Sequence, residues 1–158
     1  MTISVRSFIP TDSDFILSLV SRFSEFELPE WRHTDEIDNT NRLALMKTIE
    51  QLEPESAILV AEDETAGPVG FIHLQTRIDY FSREKQGYIA DIAVDRSFEG
   101  RGIGRMLLET AESWSHEQGY TLLTLFVFAG NIHAQQVYEK SGFARDIIRY
   151  AKVIGPKS

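Results

Sequence analysis

The chain of 158 residues contains no cysteine. Disulfides, thiolate nucleophiles and zinc–thiolate centres are therefore excluded together. Long apolar runs are missing as well, since none reaches the ~18–20 residues that a membrane span needs. The opening residues, Met1-Thr2-Ile3-Ser4-Val5-Arg6, lack the charged and apolar regions of a signal peptide. The expectation is a cytoplasmic protein with no membrane partner. Positive charge is scarce, with 16 Lys and Arg against 24 Asp and Glu and a net charge of −8. A nucleic-acid binder needs Lys and Arg to displace counterions, so that class is set aside. Histidine is sparse too, and His73, His116 and His133 share no metal-ligand spacing with a carboxylate. No metal is expected.

What is present fits one globular domain over residues 1–158. Hydrophobic content of 42% and charged content of 25% match soluble proteins, and this length buries a substantial core. Residues 3–8 alternate like a short strand that stops at Pro10. Thr11 to Asp14 then offers helix caps, with Phe15, Ile16, Leu19, Val20 and Phe23 on one helical face. Leu28-Pro29 breaks that helix. A second is predicted over 38–52, with Leu43, Met46, Ile49 and Leu52 inward and Pro54 as its stop. Strands are predicted at 57–61, 69–78 and 87–94, separated by polar loops.

A further helix places Ile103, Leu107, Ala111 and Trp114 at helical spacing and closes at Gly119. Residues 122–128 read as a buried central strand. Asn131 caps a helix that ends near Gly142, and 143–153 supply one or two closing strands. The order is β-α-α-β-β-β-α-β-α-β(-β). Hairpin-length links imply an antiparallel part, and strand–helix–strand requires a parallel crossover. The fold class is therefore α/β (α+β), with a central mixed sheet flanked by helices.

The densest signal lies between the fourth strand and the helix behind it. Tyr88-Ile89-Ala90-Asp91-Ile92-Ala93-Val94 leads into Glu99-Gly100-Arg101-Gly102-Ile103-Gly104-Arg105. Glycines on alternate positions let the backbone turn tightly and approach a ligand without a Cβ between. A helix start behind them aims unpaired N–H groups and a partial positive charge at the same place. This is a phosphate cradle. It lacks the spacing of a P-loop and of a dinucleotide fingerprint.

About thirty residues on comes Asn131-Ile132-His133-Ala134-Gln135-Gln136-Val137-Tyr138-Glu139-Lys140-Ser141-Gly142-Phe143. With the glycine loop, this block resembles the GNAT superfamily of acetyl-CoA-dependent N-acetyltransferases. The element order, a GNAT-like fold, agrees over essentially the whole chain. The family loop reads Gln/Arg-x-x-Gly-x-Gly/Ala, matched by Gly102 and Gly104, whereas Glu99 departs from its first position.

The resemblance implies acetyl-CoA as co-substrate. Its pyrophosphate would meet the backbone from Gly100 through Arg101, Gly102, Ile103 and Gly104 to Arg105. Arg101 and Arg105 would add charge, and Arg96 is a candidate for the 3′-phosphate. The pantetheine arm would run beside Ile92, Ala93 and Val94 as an added strand, with the Val94 N–H toward the thioester carbonyl. Asn131 would touch the arm, cap its helix, or do both.

Tyr138 stands where the family commonly places its general acid. A phenol of pKa near ~10 matches a departing thiolate of similar basicity. The bland alternative is a core tyrosine. The usual base is absent, because the positions four and six before Val94 are Ala90 and Tyr88. Asp91 lies one residue off and faces away from Ile92 and Val94 unless a β-bulge re-aims it. Glu27 at the acceptor mouth, or ordered water, are the other options for taking the amine proton. Asp91 and Glu27 are also the candidate acceptor contacts.

An acidic stretch from Glu25 to Glu55 favours a cationic acceptor, either a small-molecule amine or a peptide amine. Phe26, Trp31, Tyr80 and Phe81 lie in loops that would border it. A homodimer is compatible with this reading. The rival from another class is a non-catalytic acyl-CoA-binding or regulatory module that keeps the fold and lacks the base.

Overall fold

The computed structural model describes residues 2–156. Five strands form one mixed sheet in the order β1-β2-β3-β4-β5: β1 Ile3–Ser7, β2 Ala57–Asp63, β3 Gly67–Ile78, β4 Lys85–Val94 and β5 Leu123–Leu125. The first four pair antiparallel, and β5 joins β4 in parallel. Four α-helices accompany them: α1 Ser13–Ser18, α2 Thr34–Glu50, α3 Ile103–Glu117 and α4 Ile132–Lys140.

Two apolar clusters cover the two faces of the sheet. Ala61, Val69, Ile72, Leu74 and Ile89 meet Ile103, Leu107, Leu108 and Ala111 of α3. Ile58, Val60, Phe71 and Ala93 meet Ile16, Leu19, Val20 and Leu45 on the other side. Alternation along β3 explains the split, because Phe71 and His73 face one way while Ile72 and Leu74 face the other. Near the β1 edge, Arg6 bridges the buried Asp12 at 2.8 Å and Glu62 at 2.7 Å. The Arg6 guanidinium holds the Asp12 carboxyl below its ordinary range.

Four details differ from the sequence expectation. The first helix stops at Ser18, and Val20–Ser24 continues as a tighter 3-10 turn. In α2 the inward face carries Leu45 and Ile49, while Leu43, Met46 and Leu52 are exposed. Polar Asp38 sits on the inward side and accepts from the Ser24 hydroxyl at 2.7 Å, so counting apolar residues gave the wrong phase. The buried strand expected over 122–128 is only three residues long, because the chain diverges from β4 after Leu125. The closing strands expected over 143–153 are absent: these residues carry no regular structure. Among the described residues no strand pairs with them.

Candidate active site

The two halves of β4 are bonded differently. Gly87, Tyr88 and Ile89 pair with β3 on one side and with Leu123, Thr124 and Leu125 on the other. Residues 91–94 pair with β3 alone. The Asp95 amide donates to the Val69 carbonyl at 2.8 Å, so by alternation the amides and carbonyls of Ile92 and Val94 point to the open side. A wedge thus separates β4 from the chain leaving β5, rimmed by the amide and carbonyl of Ile92 and the amide of Val94.

The glycine loop closes the upper end of this wedge. Gly100 and Gly102 hold φ of 74° and 79°, a left-handed backbone that favours glycine. Gly104 is different, since it is helical and no neighbouring atom lies within 4 Å of where its Cβ would stand. Nothing in the protein's own packing calls for glycine there. The first hydrogen bond of α3 runs from the Met106 amide to the Gly102 carbonyl at 3.0 Å. The preceding amides of Ile103, Gly104 and Arg105 are the orphan donors of a helix start. These residues fit a pyrophosphate.

Ile92, Val94, Val137 and Tyr138 all pack against the α3-side cluster, which includes Ile103. Burial pushes the Tyr138 phenol above its ordinary range, and its ring meets Phe143 edge-on at 6.0 Å. The Asn131 side chain accepts from the Ala134 amide at 3.2 Å, so it does cap α4. The structure therefore brings residues 92–94, the loop, Asn131 and Tyr138 to one end of the sheet.

Other residues are placed differently. The register shifts between His73 and Leu74, which pair with Asp91 and Ile89 and leave Ala90 as the extra residue. The bulge moves Ile89 to the α3 side and keeps Asp91 with Ala93 on the α1–α2 side. There the Asp91 carboxylate accepts from or faces His73 Nδ1 at 2.9 Å, with His73 itself buried. Asp91 and Tyr138 thus occupy opposite faces of the sheet. Arg105 pairs with Glu109 at 3.1 Å along α3, and Arg101 lies over the Phe98 ring at 4.9 Å. His116 and His133 are solvent-exposed.

Arg22 is the residue that sequence reading missed. Its Nε donates to the Val94 carbonyl at 3.2 Å, and its other nitrogens meet Glu25 at 2.6 Å and Glu99. Glu25 in turn meets Arg96 at 2.5 Å. Glu99, the departure from the loop pattern, is therefore turned to a cation rather than toward a phosphate. Arg96 is likewise engaged with a carboxylate. Only the arginine between apolar Val20 and Phe23 hinted at this, and its partners lie far along the chain.

The loop over 25–33 is clasped to the start of α4. A Cβ on Gly130 would stand 1.9 Å from the Glu27 carbonyl oxygen, so only glycine admits this approach. Phe26 meets Phe128 at 5.5 Å, and Arg32 lies 5.7 Å from the same ring. The Glu27 side chain itself is exposed.

Among the described residues no three His, Asp or Glu side chains gather as a metal site, and no helix is long and apolar enough to cross a membrane. Comparison with known proteins gives a consistent answer. A profile described as "Acetyltransferase (GNAT) family" matches residues 17–143. A mycothiol acetyltransferase of Renibacterium salmoninarum is 26% identical over 145 residues, covering 90% of this chain and 41% of that protein. The chain spans only 26–41% of the mycothiol acetyltransferases it matches. A GCN5-related N-acetyltransferase from Ralstonia eutropha superposes with a TM-score of 0.73 at 20% identity, covering 98% of this chain and all of the other. An aminoglycoside 6′-N-acetyltransferase from Acinetobacter baumannii gives 0.71 at 14% identity, with coverage of 98% and 100%. Those likenesses share the mixed sheet and its order. The chain belongs to the acetyltransferase (GNAT) family.

Proposed function

We propose that this protein is a cytosolic, acetyl-CoA-dependent N-acetyltransferase acting on a primary amine by direct transfer in a ternary complex. The observation that supports this best is the half-open β4, whose unpaired backbone edge leads straight into an empty-sided glycine loop. Acetyl-CoA supplies an activated acyl group when bound. The chain's own residues do the rest.

The amides at the start of α3, with the backbone of 100–102, bind the phosphates. Ile92 aligns the pantetheine arm through its open amide and carbonyl, beside Val94, whose carbonyl is held by Arg22. The Val94 N–H donates to the carbonyl oxygen as negative charge grows there. Tyr138, a phenol that burial makes still harder to ionise, gives its proton to the departing thiolate. Asp91, held by His73, takes the amine proton from the opposite face of the wedge. With no cysteine to hold the acyl group, transfer is direct.

The acceptor is a small cationic amine or a peptide amine, drawn to the exposed Glu27 and Glu30 of the clasped loop. Glu25 contributes little, being matched by Arg22 and Arg96. The test follows thiol release from acetyl-CoA across an amine panel, beside melting with and without coenzyme A. Binding should stabilise the fold by about 2.7 kcal/mol at a hundredfold excess over Kd, and Gly104→Val should abolish that shift. Stabilisation without thiol release from any amine would leave a binding module. No stabilisation at all would refute the cofactor site.

A further inference from the structure

Tyr88 is a buried aromatic residue that belongs to neither apolar cluster. It pairs with Gln75 of β3, as Asp91 pairs with His73, and all four share the α1–α2 face of the sheet. The α1–α2 cluster takes Phe71 and Ala93 from this face, at its other end. Arg77 and Phe126 lie against Tyr88 instead. The Arg77 guanidinium carbon stands 3.6 Å from the Tyr88 ring centroid. Phe126 meets the same ring at 5.9 Å and is itself 77% exposed.

A guanidinium that stacks through its face keeps its N–H groups available in the plane. One of these reaches the Gln75 amide oxygen at 3.5 Å, and among the described residues no carboxylate pairs with Arg77. By contrast Arg6, Arg22, Arg96 and Arg105 each meet a carboxylate. Along the strands Tyr88 lies between Arg77 and Asp91, since Arg77 pairs with Gln86. Both charges are felt at its phenol. Burial pushes the Tyr88 hydroxyl above its ordinary range, Arg77 works against that shift, and Asp91 adds to it.

We infer, on the reading that Asp91 receives the amine, that the acceptor carries a carboxylate at its far end and that Arg77 anchors it on the Tyr88 ring. The planar fork of Arg77 suits a carboxylate, which it can grip with two parallel hydrogen bonds. Gln75 and His73 are two residues apart on β3, so Tyr88 and Asp91 lie ~7 Å apart, a span that roughly four or five chain carbons bridge. The exposed Phe126 ring supplies an apolar wall for the methylenes between. The two ends of the molecule are then told apart by charge. Exposed Glu27 and Glu30 attract the ammonium that reacts, whereas Arg77 repels a second ammonium and so rejects a diamine.

Titration calorimetry on the coenzyme A-saturated protein tests this with 4-aminobutyrate and 5-aminovalerate against 1,4-diaminobutane and 1,5-diaminopentane. The wild type should bind at least one aminocarboxylate about tenfold or more tightly than its matched diamine. Arg77→Gln should erase that preference, and Arg77→Glu should invert it in favour of the diamine. Arg77 is exposed, and melting temperature with cofactor-induced stabilisation checks that each variant is folded. A guanidinium that merely packs on Tyr88 would lower the melting temperature when replaced and leave the ratio of affinities where it was. That result overturns the inference, as does a wild type that prefers the diamine or binds neither amine. Thiol release from acetyl-CoA with the same four amines keeps the two readings apart. Aminocarboxylates held through Arg77 without thiol release would refute acetyl transfer alone, and release from the diamines only would refute the carboxylate anchor alone.

Discussion

The two halves of β4 belong to one strand and are bonded in different ways. Over Gly87–Ile89 every backbone group is taken by β3 or β5, and what distinguishes the residues is how their side chains pack. Gly87 is there because a Cβ would stand 2.3 Å from the Ser115 hydroxyl. Over 91–94 one edge is free, and the side chains matter less than the amides and carbonyls they leave exposed. The bulge at Ala90 separates the two regimes. A strand can thus be paired on both edges over one half and on one edge over the other, provided its neighbour departs partway along.

Substitutions on either side of that divide should behave differently. The largest effect is expected at Tyr138. Tyr138→Phe removes one hydroxyl and little volume, so folding and coenzyme A affinity should hold while kcat falls by roughly 10²-fold or more. Wild-type turnover in that variant would make Tyr138 a core residue. The raised phenol pKa has a sign that can be checked. The wild-type rate should persist to a pH above ~10, the ordinary tyrosine value, before falling on the alkaline side. The burial of Tyr138 should contribute stability below that value and lose it as pH rises toward the folded-state pKa.

Next comes Gly130. Gly130→Ala pushes a methyl into the Glu27 carbonyl and displaces the clasped loop. Roughly 10²-fold should be lost in kcat/KM for the amine, with coenzyme A binding kept, since small displacements of positioning elements are costly. An unchanged amine KM and kcat would show that the clasp does not shape the acceptor site.

A smaller, pH-dependent effect is expected at Asp91. Asp91→Asn should lower the rate roughly tenfold or more at neutral pH, and the deficit should shrink at high pH where free amine abounds. A deficit constant with pH, together with a lower melting temperature, would mean that the His73 contact is purely structural. The smallest effect on catalysis belongs to the saturated half. Gly87→Ala should cost about 1–3 kcal/mol of stability through overpacking against Ser115 and Leu123, with kinetics unchanged in the folded fraction. If it altered KM instead, the division of β4 would be wrong.

The same division explains what could be read from the sequence. Local chemistry was legible: the glycines before α3, the α3 face of Ile103, Leu107 and Ala111, and the Asn131 cap all depend on near neighbours. Long-range pairing was not. Arg22 contacts Val94 across 72 residues, and the buried His73 meets Asp91 on the neighbouring strand. The phase of α2 was misread because its inward face carries Asp38, bonded to Ser24, where apolar counting looks for leucine. The closing strands expected over 143–153 are absent for the same reason, because an alternating pattern does not supply a pairing partner.

Gly104 shows a trade-off between durability and use. Glycine in a helix costs about 0.5–1 kcal/mol relative to alanine, and no neighbouring group demands it at this position. A chain selected only to resist unfolding would carry alanine there and be the sturdier for it. On the proposed reading the weaker helix start leaves room for a phosphate beside its amides, and heat resistance engineered at this residue would then come at the expense of the ligand.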